Sequence, residues 1–424
     1  MDFEMNRKKV VIIGGGIAGL VTARELSNNF DVLLLEAAQE FGGRILTLKA
    51  NDFSVAVEGG AEFVHGEAEE TMLLLKDAGL TLSEVKGTFY KKDQSGLVPQ
   101  EGMIKGWDLI LNQLSLVEED DTLGNFLDSN FNGEQYIELR KQVQGFAEGF
   151  DLADIEKVSL KSLYQEWVNN GDDYRINGGY GKLINYLVDD CNLKGCELLK
   201  DVRVKDIIWK YQSVQVIAVD QTIYEADYAI ITVSIGSLCH PSRLRFSPSI
   251  PTYLDQIKSI GFGVVIKIVL EFKDIFWDEN AGFIVSEEAI PTWWTQLPAQ
   301  LPILTGWKGG LEALKLKSHT DEQLLEVALD SIAAIFNKSI DEIKSSLVAW
   351  KVFNWQNQEY IYGAYSYATL DTAAALDVLN RSIEETLFFA GEGYYRGLHP
   401  GTVEAAVVSA QQTTKLLNLL NQKT

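Results

Sequence analysis

The chain has 424 residues, 46% of them hydrophobic and 23% charged, which is ordinary globular composition and enough length for two domains. Its 37 basic side chains against 60 acidic ones give a formal net charge of −23, which argues against a nucleic-acid partner because neutralising phosphates requires a basic surface. A negative field of this size either gathers cations such as amines or serves solubility alone. No apolar segment is long enough to span a bilayer, and the apolar stretch after Lys8 and Lys9 is broken by glycines with no processing site behind it. The expectation is a cytoplasmic protein without membrane contact, with a homodimer left open. Cys191, Cys196 and Cys239 leave one thiol over in any pairing and make no zinc pattern, so they read as reduced and structural. His65, His240, His319 and His399 are scattered, and no metal site is expected.

In chain order, residues 10–13 (VVII) read as a buried parallel strand and residues 17–26 as a helix. Between them lies Gly14-x-Gly16-x-x-Gly19, with Ile17 and Ala18 opening the helix. The first glycine permits a tight turn, the second lets the backbone approach a pyrophosphate, and the third lets helix pack closely on strand. The helix N-terminus offers unpaired N–H groups and a positive dipole end. Glu36 closes the next apolar run, DVLLLE, where a carboxylate accepts hydrogen bonds from a ribose and repels a 2′-phosphate. The pattern predicts a dinucleotide other than NADP.

Further along, residues 70–78 and most of 122–167 carry helical periodicity, and Gly178-Gly179-x-Gly181 precedes an amphipathic helix over 183–190. The texture then changes to strands over 202–217 and 226–233, and to a strand at 264–272 that leads into Phe276 and Trp277. A helix capped by Thr320 spans 321–336. The last segment repeats the first: a strand at 386–390, a glycine-bearing turn, a helix over 403–417 and a short amphipathic end at 416–424. The middle is too long for one crossover, so two domains interleave in sequence.

Eight segments in order resemble the flavin-containing amine oxidases, the monoamine and polyamine oxidase group. They are GGGIAGL at Gly14, EFGGRI at Glu40, EGGAEFVHG at Glu58, INGGYGKL at Ile176, ADYAIITVSIGSL at Ala226, GFGVVIKIVLEFKDIFW at Gly261, YGAYSY at Tyr362 and FFAGEGYYRGLHPGTVEAAVVSA at Phe388. The resemblance implies an α/β fold in which an FAD-binding Rossmann-like domain (residues 1–84, 176–247 and 384–424) interleaves with a mixed α+β substrate-binding domain (85–175 and 248–383). It implies FAD at the Gly14, Gly16, Ile17, Ala18 and Gly19 turn, and Glu36 at the adenosine ribose. Gly42, Gly43 and Arg44 fall at the pyrophosphate and flavin side, and Gly60, Ala61 and Glu62 beside the isoalloxazine ring. Val204 meets adenine through its backbone, Gly391 and Glu392 lie near the phosphate and ribityl chain, and Thr402 and Val403 open a helix facing the flavin.

The same resemblance implies that Lys267 holds a water against flavin N5 and assists reaction with oxygen. Tyr365 stands beside the flavin, with Thr402 where monoamine oxidases place a second tyrosine. Ala364 takes the position of the cysteine that attaches FAD covalently in animal monoamine oxidases, so the expected FAD is non-covalent. His65 faces the substrate or is a structural histidine of the flavin loop, and Glu62 shares that alternative. Trp293, Trp294 and Trp355 line the cavity or belong to the core, and Lys267 has the competing reading of a lysine on a solvated strand face.

The expected reaction is oxidation of a small-molecule amine to an imine, with O2 reoxidising the flavin to H2O2. An L-amino acid oxidase would instead need an arginine for the carboxylate, for which Arg140, Arg175 and Arg243 are candidates. A desaturase or porphyrinogen oxidase shares the N-terminal fingerprint but not the Lys267 and Tyr365 segments. A non-catalytic flavin-stabilised binding protein is the reading from another class, and the want of a long helical insertion argues against a histone-demethylase-like role.

Overall fold

The computed structural model describes residues 7–48, 53–169, 171–242 and 244–422. β1 (Lys9–Ile13), α1 (Ile17–Leu26) and β2 (Asp31–Leu35) form where the sequence pattern places them. β1 is the middle strand of a five-stranded parallel sheet with the order Glu197–Leu199, β2, β1, Tyr228–Ile231, Leu387–Phe389. Its continuous apolar run is explained by burial on both faces. Val10 and Ile12 face a core shared with α1 and the helices Gly181–Leu193 and Val403–Asn421, while Val11 and Ile13 face the core beneath a four-stranded sheet. That second sheet takes Ile223–Ala226, Ser213–Ala218, Val204–Lys210 and Arg245–Ser247 in that order.

The single strand expected at 226–233 is divided between these two sheets. Ile223–Ala226 ends in the four-stranded sheet and Tyr228–Ile231 begins in the parallel one. Asp227 makes the break, its carboxylate accepting from the Lys9 N–H at 2.7 Å.

A seven-stranded mixed sheet has the order Leu347–Asn354, Val265–Phe272, Ile303–Gly309, Thr292–Trp294, Ala281–Val285, Thr88–Asp93, Gly96–Gln100. Val265–Phe272 is flanked by strands on both sides and is buried along its length. Ile266, Ile268 and Leu270 pack on the Asp321–Phe336 helix, whose Thr320 and Gln323 form a reciprocal cap. Strand alternation turns Lys267, with Val265 and Val269, to the opposite face, toward Phe353 and Trp355. Four helices, Trp107–Leu114, Leu123–Asn130, Ile137–Gly149 and Leu160–Val168, build a separate apolar cluster beside this sheet. Among the described residues no helix is long and apolar enough to cross a membrane.

Candidate active site

The turn from β1 into α1 is shaped by what its glycines leave out. A Cβ on Gly19 would lie 1.9 Å from the Gly14 carbonyl oxygen, so this glycine is required for helix to approach strand. A Cβ on Gly16 would meet nothing closer than the Gly42 carbonyl oxygen at 3.8 Å. Its bare Cα therefore opens space instead of relieving a clash. The α1 N-terminus has no side-chain cap and no acid in its first turn, so no side chain of that turn takes up its N–H groups. This open, uncapped cradle fits a pyrophosphate. Glu36 accepts from the Gly15 N–H at 2.5 Å and the Ala38 N–H at 2.7 Å, binding the end of β2 to the glycine turn. Burial pushes its carboxyl above the ordinary value, against the pull of those backbone donors.

Arg44 is not a surface ion pair. Its guanidinium donates to Glu392 Oε1 at 2.6 Å and to the Ala364 carbonyl at 2.7 Å, while Glu392 Oε2 accepts from Ser366. These bonds join the Gly42–Gly43 loop to the last segment of the chain. Gly59 and Gly60 are glycines by close approach: a Cβ would meet the Phe353 ring at 2.4 Å and the Arg44 carbonyl oxygen at 1.9 Å, respectively. The Gly59 carbonyl accepts from Trp355 Nε1 and the Gly60 carbonyl from Lys267 Nζ, each at 3.0 Å. Ala61 follows, its N–H on the Arg44 carbonyl. Val204 opens its strand, Gly391 precedes Glu392 with φ 143°, and Val403 begins the last helix.

Lys267 is 1% exposed, which removes the solvated-face alternative. Its ammonium lies 2.6 Å from Glu62 Oε2. The other carboxylate oxygen of Glu62 accepts from Arg175 at 2.8 Å and from Trp294 Nε1 at 3.0 Å. Arg175 also donates to the Leu297 and Thr295 carbonyls, and its guanidinium lies over Phe63. Arg175 is therefore committed to Glu62 and is not free to clamp a substrate carboxylate. Arg140 pairs with Asp128 at the surface, and Arg243 lies outside the described residues. The arginine that an L-amino acid oxidase needs is thus not supplied by Arg140 or Arg175.

Across the sheet Lys267 stands opposite Trp307, whose indole stacks on Tyr365 with centroids 6.5 Å apart. The Tyr365 hydroxyl donates to the Phe150 carbonyl, and Trp307 Nε1 donates to the Gly149 carbonyl at 2.8 Å. Two acids adjoin this aromatic pair. Asp151 accepts from Trp167 Nε1 at 3.0 Å, and the half-buried Glu166 carboxyl makes no hydrogen bond among the described residues. Burial pushes the Asp151 carboxyl up to about 7, and burial with the Asp151 charge pushes Glu166 well above its ordinary range. The Tyr365 phenol is raised by burial and then by these same two acids. Trp307, Asp151 and Glu166 carry no sequence signal: an isolated aromatic and two acids on separate elements become neighbours only by packing.

Thr402 does not present a free hydroxyl opposite Tyr365. Its Oγ caps the last helix, accepting from the Ala405 N–H at 3.1 Å and donating to the His399 carbonyl at 2.8 Å. Its neighbour Gly401 makes the close approach instead, since a Cβ there would lie 2.9 Å from the Tyr365 ring. His65 is 45% exposed at a strand end, with Nδ1 2.6 Å from Asp173 Oδ1. Trp293 is core, donating to the Ile290 carbonyl, whereas Trp294 and Trp355 bond to the Glu62 and Gly59 groups described above. Cys191 and Cys196 are buried and Cys239 is exposed.

A sequence profile described as flavin containing amine oxidoreductase matches residues 17–417. The chain is 28% identical to Polyamine oxidase 5 of Oryza sativa subsp. japonica, over 96% of this chain and 88% of that protein. It is 26% identical to Lysine-specific histone demethylase 1 homolog 3 of Arabidopsis thaliana, over 98% of this chain but only 30% of that longer protein. In fold it superposes on a putrescine oxidase variant with a TM-score of 0.82 at 18% identity, covering 97% of this chain and 99% of the other. Cyclohexylamine oxidase from Brevibacterium oxydans IH-35A gives a TM-score of 0.79 at 18% identity, covering 98% and 100%. With the profile spanning nearly the whole chain, this protein belongs to the flavin-containing amine oxidoreductase family, FAD-dependent oxidoreductases that act on amines.

Proposed function

We propose that the protein oxidises a C–N bond of a small di- or polyamine, with O2 as the electron acceptor and a dissociable FAD. A bound FAD would supply two-electron oxidation at the α-carbon with O2 as the final acceptor, so that amine, O2 and water would yield an aldehyde, the released amine and H2O2. The observation that carries the reading is Lys267: a buried ammonium, flanked along its strand by Val265, Ile266, Ile268 and Val269, bonded to the carbonyl of the glycine-rich Gly59–Gly60 segment.

The chain's residues divide the work. The α1 N-terminus with Gly14, Gly16 and Gly19 receives the pyrophosphate, and Glu36 receives the ribose. Arg44, Glu392 and the 403–421 helix hold the flavin side, the helix N-terminus favouring negative charge there. Tyr365 and Trp307 flank the amine, orienting it and excluding water. Asp151 and Glu166 receive a second cationic nitrogen, a role supported by Asp151 following Phe150, whose carbonyl holds Tyr365, and by the charge coupling of both acids to the Tyr365 phenol, with no basic side chain bonded to either among the described residues. Polyamine oxidases and a putrescine oxidase among the similar proteins support the same substrate class. Ala364 supports non-covalent FAD, since it offers no sulfur. The division into residues 1–84, 176–247 and 384–424 against 85–175 and 248–383 belongs to this reading. It is supported by the parallel sheet and the seven-stranded sheet each drawing strands from one set alone.

Anaerobic mixing of the flavin-loaded protein with monoamines, diamines, polyamines and amino acids tests it. Bleaching of the flavin fastest with diamines or polyamines is expected, and bleaching by amino acids alone would overturn it. Acid precipitation should leave the flavin in the supernatant.

A further inference from the structure

We propose that Glu62, held by Arg175 and Trp294, is a positioning residue that aims Lys267 and allows it to remain an ammonium. The inference rests on the reading that Lys267 serves the reaction of the reduced flavin with O2. A lysine ammonium has three N–H groups. Glu62 Oε2 at 2.6 Å takes one and the Gly60 carbonyl at 3.0 Å takes another, so tetrahedral geometry directs the third. Glu62 itself cannot swing away. Its second oxygen receives Arg175 and Trp294, and Arg175 is pinned in turn by the Leu297 and Thr295 carbonyls.

Charge gives the second half of the argument. Arg175 and Lys267 are two cations in a buried site, with exposures of 13% and 1% for their side chains, and Glu62 is the anion that lies between them. With Glu62 ionised the group carries one net positive charge. With a neutral residue in its place two cations would remain, and the lysine, unlike the arginine, can relieve this by losing its proton. Burial opposes ionisation of Glu62, but Lys267 and then Arg175 outweigh it and hold the carboxyl below the usual carboxylate range. Glu58 on the Val57–Glu58 strand also acts on this group. Burial pushes its carboxyl up to about 7, and its oxygens accept from Thr47 and the Tyr180 N–H, not from Lys267.

The test uses flavin-loaded protein labelled with 15N-lysine, the Lys267 Nζ resonance being assigned by its loss in Lys267→Met. In Glu62→Gln this resonance should move to its neutral-amine position at lower pH than in the parent. In Arg175→Gln, which removes a cation and keeps the anion, it should titrate higher. Reoxidation by O2 is followed on flavin reduced photochemically, so it does not depend on which amine is the substrate. Glu62→Gln should reoxidise at least about tenfold more slowly than the parent in alkaline solution, and the deficit should narrow as the pH is lowered. Glu62→Asp, which keeps the charge, should retain the parent titration. A Nζ titration unmoved in both Gln variants, or moved in the same direction in both, overturns the proposal. Should Glu62→Gln fail to fold, the upward shift in Arg175→Gln and the retained titration in Glu62→Asp decide it. If no amine bleaches the flavin, the substrate reading fails while these measurements still report on Glu62.

Discussion

The indole of Trp307 lies against the phenol of Tyr365 with ring planes 23° from parallel, and both rings are tied to one turn, through the Gly149 and Phe150 carbonyls. The aromatic pair is therefore held by hydrogen bonds at its polar ends, not by stacking alone. Tyr365→Phe leaves the Phe150 carbonyl without its donor, which costs about 1–2 kcal/mol and lowers Tm by a few degrees. KM for the amine should rise more than kcat falls, as expected for loss of orientation in the bound state. Steady-state kinetics showing an unchanged KM would count against the pair as a substrate guide.

Asp151 makes stability depend on pH in a stated direction. Its folded pKa of about 7 lies above the value of about 4 for an unfolded aspartate. The folded protein keeps a proton that the unfolded chain has lost, so this contribution is present in full below about pH 4 and disappears as pH rises to about 7. Asp151→Asn removes the loss. Its stability should match the parent near pH 4 and exceed it at pH 8, by on the order of 1–2 kcal/mol once solvent access to this half-buried group is allowed for, read as a higher Tm at pH 8. If Asp151 receives the distal cation of a diamine, the same variant should bind diamines about tenfold more weakly and monoamines unchanged.

Gly16 and Gly19 separate cofactor binding from folding. Alanine favours a helix over glycine, so propensity alone predicts that Gly19→Ala stabilises α1. The 1.9 Å approach to the Gly14 carbonyl predicts the opposite, and this variant should not fold at 37 °C. Gly16→Ala has room within the polypeptide, so the flavin-free protein should melt within about 2 °C of the parent. Its methyl would enter the pyrophosphate cradle, and titration with FAD should show at least about tenfold weaker binding. Unchanged affinity would place the phosphates elsewhere.

Thr402 is distinguished as a cap by what serine preserves. Thr402→Ala should cost about 1 kcal/mol through the Ala405 N–H, and Thr402→Ser should restore most of it. A wall position beside the substrate would instead make both variants change the preference among amines, which a panel of kcat/KM values would reveal.

Legibility in the sequence followed the range of the interaction. β1, α1, β2, the Val265–Phe272 strand and the Asp321–Phe336 helix each carry their own periodicity, punctuation or cap, so they form at the expected residues. The apolar run from 226 to 233 did not reveal that Asp227 would divide it between two sheets, because that break depends on Lys9, far away in the chain. Arg175 read equally well as a carboxylate clamp until Glu62 was found 2.8 Å away.

The glycine turn after β1, the family and the oddity of Lys267, an ionisable residue among apolar neighbours, are all legible along the chain. These are local properties: glycine spacing, residue period, and a charge whose neighbours along the chain cannot solvate it. Folding pairs Lys267 with Glu62, sets Trp307 against Tyr365 and brings Asp151 next to the turn that holds both rings. The physical reason is that burial and electrostatic coupling depend on distance in space, and 205 positions of sequence separate Lys267 from the Glu62 carboxylate it touches.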